Sequence, residues 1–166
     1  MKRWIVVAWL LVIGVAGAVI VGKERVLSHG EVVYLRLAPV DPRSLMQGDY
    51  MALNFAIGLE IAAAQASAQS PRERETEVVI RRDATGVGQL VRLQNGQPLA
   101  EGERRLRVQN VPSRWGGPIV QVSTDAWFFQ EGQAERFAKA RYGEFRLDSS
   151  GQALLVGMRD EQLKPL

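Results

Sequence analysis

Residues able to do chemistry crowd into one stretch, Ala38 to Phe55, which reads APVDPRSLMQGDYMALNF. Asp41 and Asp49 offer two carboxylates with Arg43 close by, a set suited to a cation or a basic partner segment. The same aspartates can instead serve the fold: Asp41 in an Asx-type turn, Asp49 accepting backbone amides to hold the loop. Ser44 is the one hydroxyl in the loop, and a serine without an adjacent base is a poor nucleophile. The four lysines that could supply that base, Lys2, Lys23, Lys139 and Lys164, lie outside any strand pattern. Tyr50 suits an interface, because tyrosine brings a large contact area at low entropic cost; packing on the other side of a sheet is the equal alternative. His29 is the single histidine and there is no cysteine, which excludes histidine-dependent catalysis, multi-histidine metal sites and thiolate sites.

The loop leads into an extended segment. Pro39 and Pro42 fix φ and remove donors, Asp41 is pushed out of the helical region by Pro42, and Gly48 permits a turn. From Tyr50 the pattern alternates: Met51, Leu53 and Phe55 face one way, Tyr50, Ala52 and Asn54 the other. Asp49 opens the apolar face, where a bare carboxylate would cost several kcal/mol, so it needs hydrogen-bond partners.

On these residues the chain resembles the GDYXXLXY proteins. Gly48, Asp49, Tyr50 and Leu53 match the motif as written, and Phe55 stands where its last tyrosine would be. The preceding PVDPRSL and the later FFQEGQAE are similar to family features too, so the resemblance covers most of the chain after residue 30. It implies a bacterial membrane-anchored protein of a kind that often accompanies multi-spanning membrane proteins, and brings no enzyme activity with it. The candidate binding or structural motif is therefore Asp41, Arg43, Gly48, Asp49, Tyr50 and Leu53. A second, much shorter resemblance is to signal peptidase I, in which a nucleophilic serine precedes a Gly-Asp-led strand and a lysine is the base. Ser44 stands too close to Gly48-Asp49 for that spacing.

The elements that must position this loop follow from composition. Trp4 to Gly22 is 19 residues without a charge, spanning roughly 28 Å at about 1.5 Å per residue. We read it as an uncleaved transmembrane anchor, although Ala16-Gly17-Ala18 has the form of a signal-peptide cleavage site. Lys2 and Arg3 favour a cytoplasmic start, which places the domain on the periplasmic side of a bacterial inner membrane; Lys23 and Arg25 pull the other way. Gly14, Ala18 and Gly22 form a small-residue stripe, common in spanning helices. Lys23 to Gly30 reads as a polar linker, and residues 31–166 as one β-rich domain.

Within the domain, Glu31–Leu37 reads as the first strand. Leu59–Ala68, with Ile57, Ile61, Ala64 and Ala68 on one stripe, reads as a helix of about three turns. Glu77–Arg81, Gln89–Leu93 and Arg104–Val111 are strands, and Asn95-Gly96 signals a type I′ hairpin. Ile119–Phe129 is extended, Glu131–Tyr142 helical with Gly143 as a cap, and Phe145–Leu147 with Ala153–Met158 a closing hairpin. The expected class is α+β, an antiparallel sheet with one or two helices packed on it.

Charge excludes one further function. The chain holds 21 basic and 18 acidic residues, a net +3, and without Lys2 and Arg3 the balance is 19 to 18. Such a domain lacks the basic excess of a nucleic-acid binder. Arg81, Arg82, Arg92, Arg104, Arg105 and Arg107 could form a basic stripe for anionic lipid or an acidic partner, but Glu101 and Glu103 beside them favour a solvated face. Trp115 with Gly116-Gly117 is either a loop anchor or a packed turn. The reading that results is a membrane-anchored, non-enzymatic accessory protein acting with another membrane protein and using no cofactor. Its alternatives are a membrane-bound serine-lysine hydrolase using Ser44 and a small-ligand or cation module using Asp41 and Asp49.

Overall fold

A computed structural model describes residues 2–38, 46–47, 50–68, 75–111 and 119–166. The apolar run forms helix α1, Lys2–His29. Its Val6–His29 portion is long and apolar enough to cross a membrane, and the most apolar window is 0% buried within the protein. The helix does not stop at Gly22. Lys23 to His29, read from sequence as a polar linker, continue it, because Val26 packs into the domain with only 4% exposure.

Gly30 makes the junction tight. A Cβ there would lie 2.3 Å from the Val26 carbonyl oxygen and 3.0 Å from Arg146 Cβ, so no other residue lets helix and strand meet this closely. The Gly30 amide donates to the Val26 carbonyl at 2.9 Å, and Arg146 Nη1 donates to the Gly30 carbonyl at 3.2 Å.

The remaining elements are β1 Glu31–Arg36, β2 Met46–Gln47, β3 Tyr50–Ala52, α2 Ala56–Ser67, β4 Glu75–Arg82, β5 Gly88–Leu93, β6 Glu103–Val111, β7 Ile119–Gln121, β8 Ala126–Phe128, α3 Ala134–Phe137, β9 Tyr142–Leu147 and β10 Ala153–Arg159. They form three antiparallel sheets, ordered β1-β9-β10, β2-β3-β8 and β5-β4-β6-β7. The α+β class is as the sequence predicts.

One apolar cluster joins the sheets, drawing Val33 and Leu35 from β1, Met51, Leu53 and Phe55 from the motif strand, Ile57 and Ile61 from α2, and Phe145 and Leu147 from β9. The predicted alternations at β1, β3 and β6 therefore hold. In β4, Val78, Val79 and Ile80 are all 0% exposed. Val78 and Ile80 join the cluster. Val79 faces the other way between its cross-strand neighbours Arg92 and Arg105, whose alkyl stems can shield apolar surface.

Four expectations need correction. Helix α2 begins three residues earlier than predicted, and its buried stripe is Ile57, Gly58, Ile61 and Gln65; Ala68 is exposed. A Cβ on Gly58 would meet the Val120 carbonyl oxygen at 2.7 Å, so close contact with β7 sets which face of α2 turns inward. Asn95-Gly96 makes no type I′ hairpin. Strands β5 and β6 both pair with β4, one on each side, so their connection must cross the end of β4, and only Gly96 has positive φ. The run Ile119–Phe129 is divided between β7 and β8, which belong to different sheets. The helix expected over Glu131–Tyr142 is a single turn, α3, and Gly143 lies inside β9 rather than capping it. A Cβ at Gly143 would stand 2.9 Å from both the Phe55 and Phe145 rings.

Three tight loops share one design. Asp83, Asp148 and Asp160 each place Oδ1 to accept the amides of residues two and four positions on, at 2.8–3.0 Å. The residue three positions on has positive φ in each: Gly86, Gly151 and Leu163. The aspartate oxygen stands in for a backbone carbonyl, accepting amides that the left-handed turn leaves without a main-chain acceptor.

Candidate functional site

The motif segment and the FFQEGQAE segment, far apart in sequence, meet in one sheet. Strand β3 pairs with β8 in the register Tyr50 opposite Phe128, Met51 opposite Trp127 and Ala52 opposite Ala126. On its other side β3 pairs with β2, Gln47 opposite Tyr50. The backbone beyond β3 is held as well: the Leu53 amide donates to the Asp125 carbonyl at 2.7 Å, and Ala38 donates to Asn54 at 2.8 Å. Leu37 and Phe55 form an isolated antiparallel bridge, which ties the motif strand to the end of β1 away from Gly30.

Period-2 geometry sorts the side chains of this sheet. Met51, at 2% exposure, and Trp127 face inward. Trp127 lies 6.1 Å from Phe137, and Phe129 stacks on the same ring at 5.0 Å. Tyr50 and Phe128 occupy the opposite face, with ring centroids 5.8 Å apart and planes tilted by 39°. Phe128 is 74% exposed, the most exposed aromatic side chain described outside α1. Leu53 is buried, and Phe55 meets Phe145 edge to face at 5.1 Å; both belong to the core rather than to a surface.

Of the predicted site residues, the structure therefore assigns Leu53 to packing and Tyr50 to a half-exposed aromatic pair. Asp41, Arg43, Gly48 and Asp49 lie outside the described residues, as do Ser44 and Trp115 with its neighbouring glycines.

The arginine stripe is resolved into ion pairs. Glu31 takes Arg104 at 2.6 Å and also Arg82. Glu103 takes Arg92 at 3.2 Å and Arg81 at 3.4 Å, and Arg107 pairs with Glu77 at 3.1 Å. Glu103 is 6% exposed. The Ala100 amide, donating to its Oε2 at 3.0 Å, holds the carboxyl below its ordinary pKa; Arg92 and Arg81 act in the same direction, and desolvation opposes them. Among the described residues only Arg105 of the six has no carboxylate partner.

Two residues that matter here were not singled out from the sequence. Phe128 is hidden in the run Trp127-Phe128-Phe129; strict alternation was the available signal, since one of three consecutive aromatics on a strand must point away from the other two. Glu103 shares a strand face with Arg105 and Arg107 and so reads as solvated. Its burial comes from the Ala100–Glu103 turn, closed by a 3.0 Å backbone bond with Gly102 at φ 79°.

Neither a curated protein nor a solved structure matches the chain. A family model, that of the GDYXXLXY protein, matches residues 12–158, which takes in the late α1 helix and both halves of the Tyr50–Phe128 sheet. The chain belongs to the GDYXXLXY family.

Proposed function

We propose that this protein is a membrane-anchored, non-enzymatic accessory protein that docks a membrane-protein partner on the Tyr50–Phe128 face. The observation that carries this reading is the aromatic pair. A phenylalanine left 74% exposed beside a tyrosine, on a sheet whose other face packs Met51 and Trp127 toward the core, is surface that a bound partner would bury. Helix α1 supplies the tether and concentrates the domain near other membrane proteins. The N-terminal Lys2 and Arg3 favour the periplasmic side of a bacterial inner membrane for the domain.

The test is an in-membrane cross-linking pull-down of the full-length protein beside Phe128→Asp and Tyr50→Ala, each checked by thermal melt. The proposal expects one specific membrane protein to be captured by wild type and lost from variants that still fold. Equal capture by wild type and folded variants would remove the face from consideration. Ser44→Ala separates the hydrolase alternative: a folded variant that loses a function wild type retains would revive it. Joint neutralisation of Asp41 and Asp49 does the same for a cation-binding role.

A further inference from the structure

A cleft of about 740 Å³ lies where α1 meets the domain. Its helix side carries Arg25 and His29, and its domain side carries Arg104, Arg105 and Ser149. The walls are fixed relative to one another, because Val26 is buried and Gly30 admits no Cβ between the helix and Arg146. The opposite wall is fixed too: Gly151 of the β9–β10 turn packs on the Arg105 backbone, and its carbonyl accepts the Arg107 amide at 2.8 Å.

The cleft lining balances Arg25, Arg104 and Arg105 against Glu31, Glu103 and Asp148, and the positive excess comes from arginines that reach its glutamates from outside the lining. Each of its two glutamates is already met by two arginines, Glu31 by Arg82 and Arg104, Glu103 by Arg81 and Arg92. The Asp148 carboxylate accepts the Ser150 and Gln152 amides, both at 2.9 Å, and the Ser150 hydroxyl at 2.7 Å. Arg25 and Arg105 are exposed, and neither has a carboxylate partner among the described residues. Lys23, which follows Gly22 of the cleft lining, adds a further cation, beside the Glu24 carboxylate.

Depth sets what meets that field. Val6–His29 is 24 residues, roughly 36 Å at about 1.5 Å per residue, against about 30 Å of hydrocarbon. A helix that begins its crossing at Trp4, the first residue of the uncharged run, carries Arg25 about 32 Å and His29 about 38 Å along its axis, to headgroup level. Leu99, 37% exposed, adds an apolar side chain to the cleft lining, which suits a lipid's glycerol and upper acyl chain better than a free anion.

We propose that this cleft holds the phosphate headgroup of an anionic phospholipid, gripped between Arg25 of the helix and Arg105 of β6. Guanidinium groups suit the task, since their planar forks bind phosphate oxygens two at a time. The inference rests on α1 lying in a bilayer. Bound lipid would fix the height and tilt of the domain, and with them the presentation of the Tyr50–Phe128 face.

The test uses full-length protein in a neutral detergent, titrated separately with short-chain phosphatidylglycerol, short-chain phosphatidylcholine and inorganic phosphate. Thermal unfolding and lipid retention by native mass spectrometry are the readouts, and carbonate extraction of native membranes is run in parallel. Phosphatidylglycerol should be retained and raise the melting temperature by several degrees, with little effect from the other two. Arg25→Gln with Arg105→Gln should abolish retention, which native mass spectrometry reads even if the melt shifts. Lys139→Gln, just before the far end of β9, should leave it intact. Equal retention of both lipids by a carbonate-resistant protein would overturn the headgroup site while leaving the anchor standing. An equal response to inorganic phosphate would replace it with a simple anion site. Release by carbonate would remove the anchor, and the inference with it.

Discussion

The sheet β5-β4-β6-β7 and the sheet β2-β3-β8 treat their outward side chains in opposite ways. On the first, charge is closed on itself except at Arg105: Glu77 and Glu103 take arginines from β4, β5 and β6, and Val79 is sealed among them. On the second, Tyr50 and Phe128 touch each other and leave Phe128 mostly in solvent. A closed ion-pair face is complete without a partner, whereas an exposed aromatic pair gains by meeting one. The contrast explains why the paired arginines, the more conspicuous feature in the sequence, are the weaker candidate for recognising a protein partner.

The comparison can be broken at several points, beginning with the core beneath both sheets. Phe145→Ala removes a fully buried ring that meets Phe55 and should cost about 3–5 kcal/mol in denaturant unfolding. A loss below about 1 kcal/mol would mean that the shared cluster does not hold the sheets together.

On the closed face, Glu103→Gln should lower the melting temperature at neutral pH by leaving Arg81 and Arg92 without their carboxylate. Folding holds the Glu103 carboxyl below its ordinary 4.5. Its charge therefore contributes stability that is fully present above that value and is lost as pH falls through the lower folded pKa. The gap between wild type and variant should be widest near pH 7 and shrink at the acidic end of a pH series. A gap that grows on acidification would contradict the ion-pair account.

In the β9–β10 loop, Asp148→Ala removes acceptors for two backbone amides and should cost about 1 kcal/mol, as loss of a comparable capping oxygen does. On the open face, Phe128→Ala should change stability by less than about 1 kcal/mol, since its ring is mostly in solvent and its ring contact among the described residues is the tilted one with Tyr50. A large loss there would make Phe128 architectural and remove the contrast.

Much of this arrangement is legible in the sequence. Alternation in Glu31–Leu37, Tyr50–Phe55 and Arg104–Val111 marks the buried faces, and Ser149-Ser150-Gly151 marks the last hairpin. What local pattern cannot give is pairing across distance. Nothing near Tyr50 announces Phe128 as its neighbour, and Asn95-Gly96 carries a hairpin signal that the crossing of β4 overrides. The continuation of α1 through Lys23–His29 is hidden for the same reason, because the polar composition there is answered by Val26 docking on the domain. For the candidate site, the motif residues Tyr50 and Leu53 are found from sequence. Their separation into a surface residue and a core residue follows only from the pairing of β3.

The most direct test of the central claim places a photo-cross-linking amino acid at position 128 in the full-length protein, in native membranes. A second protein carries it at Val91, an exposed residue on the closed sheet. The account predicts a single discrete adduct with a membrane protein from position 128, lost on Tyr50→Ala, and no matching adduct from position 91. Adducts of equal yield from both positions, or none from position 128 in a folded protein, would contradict it.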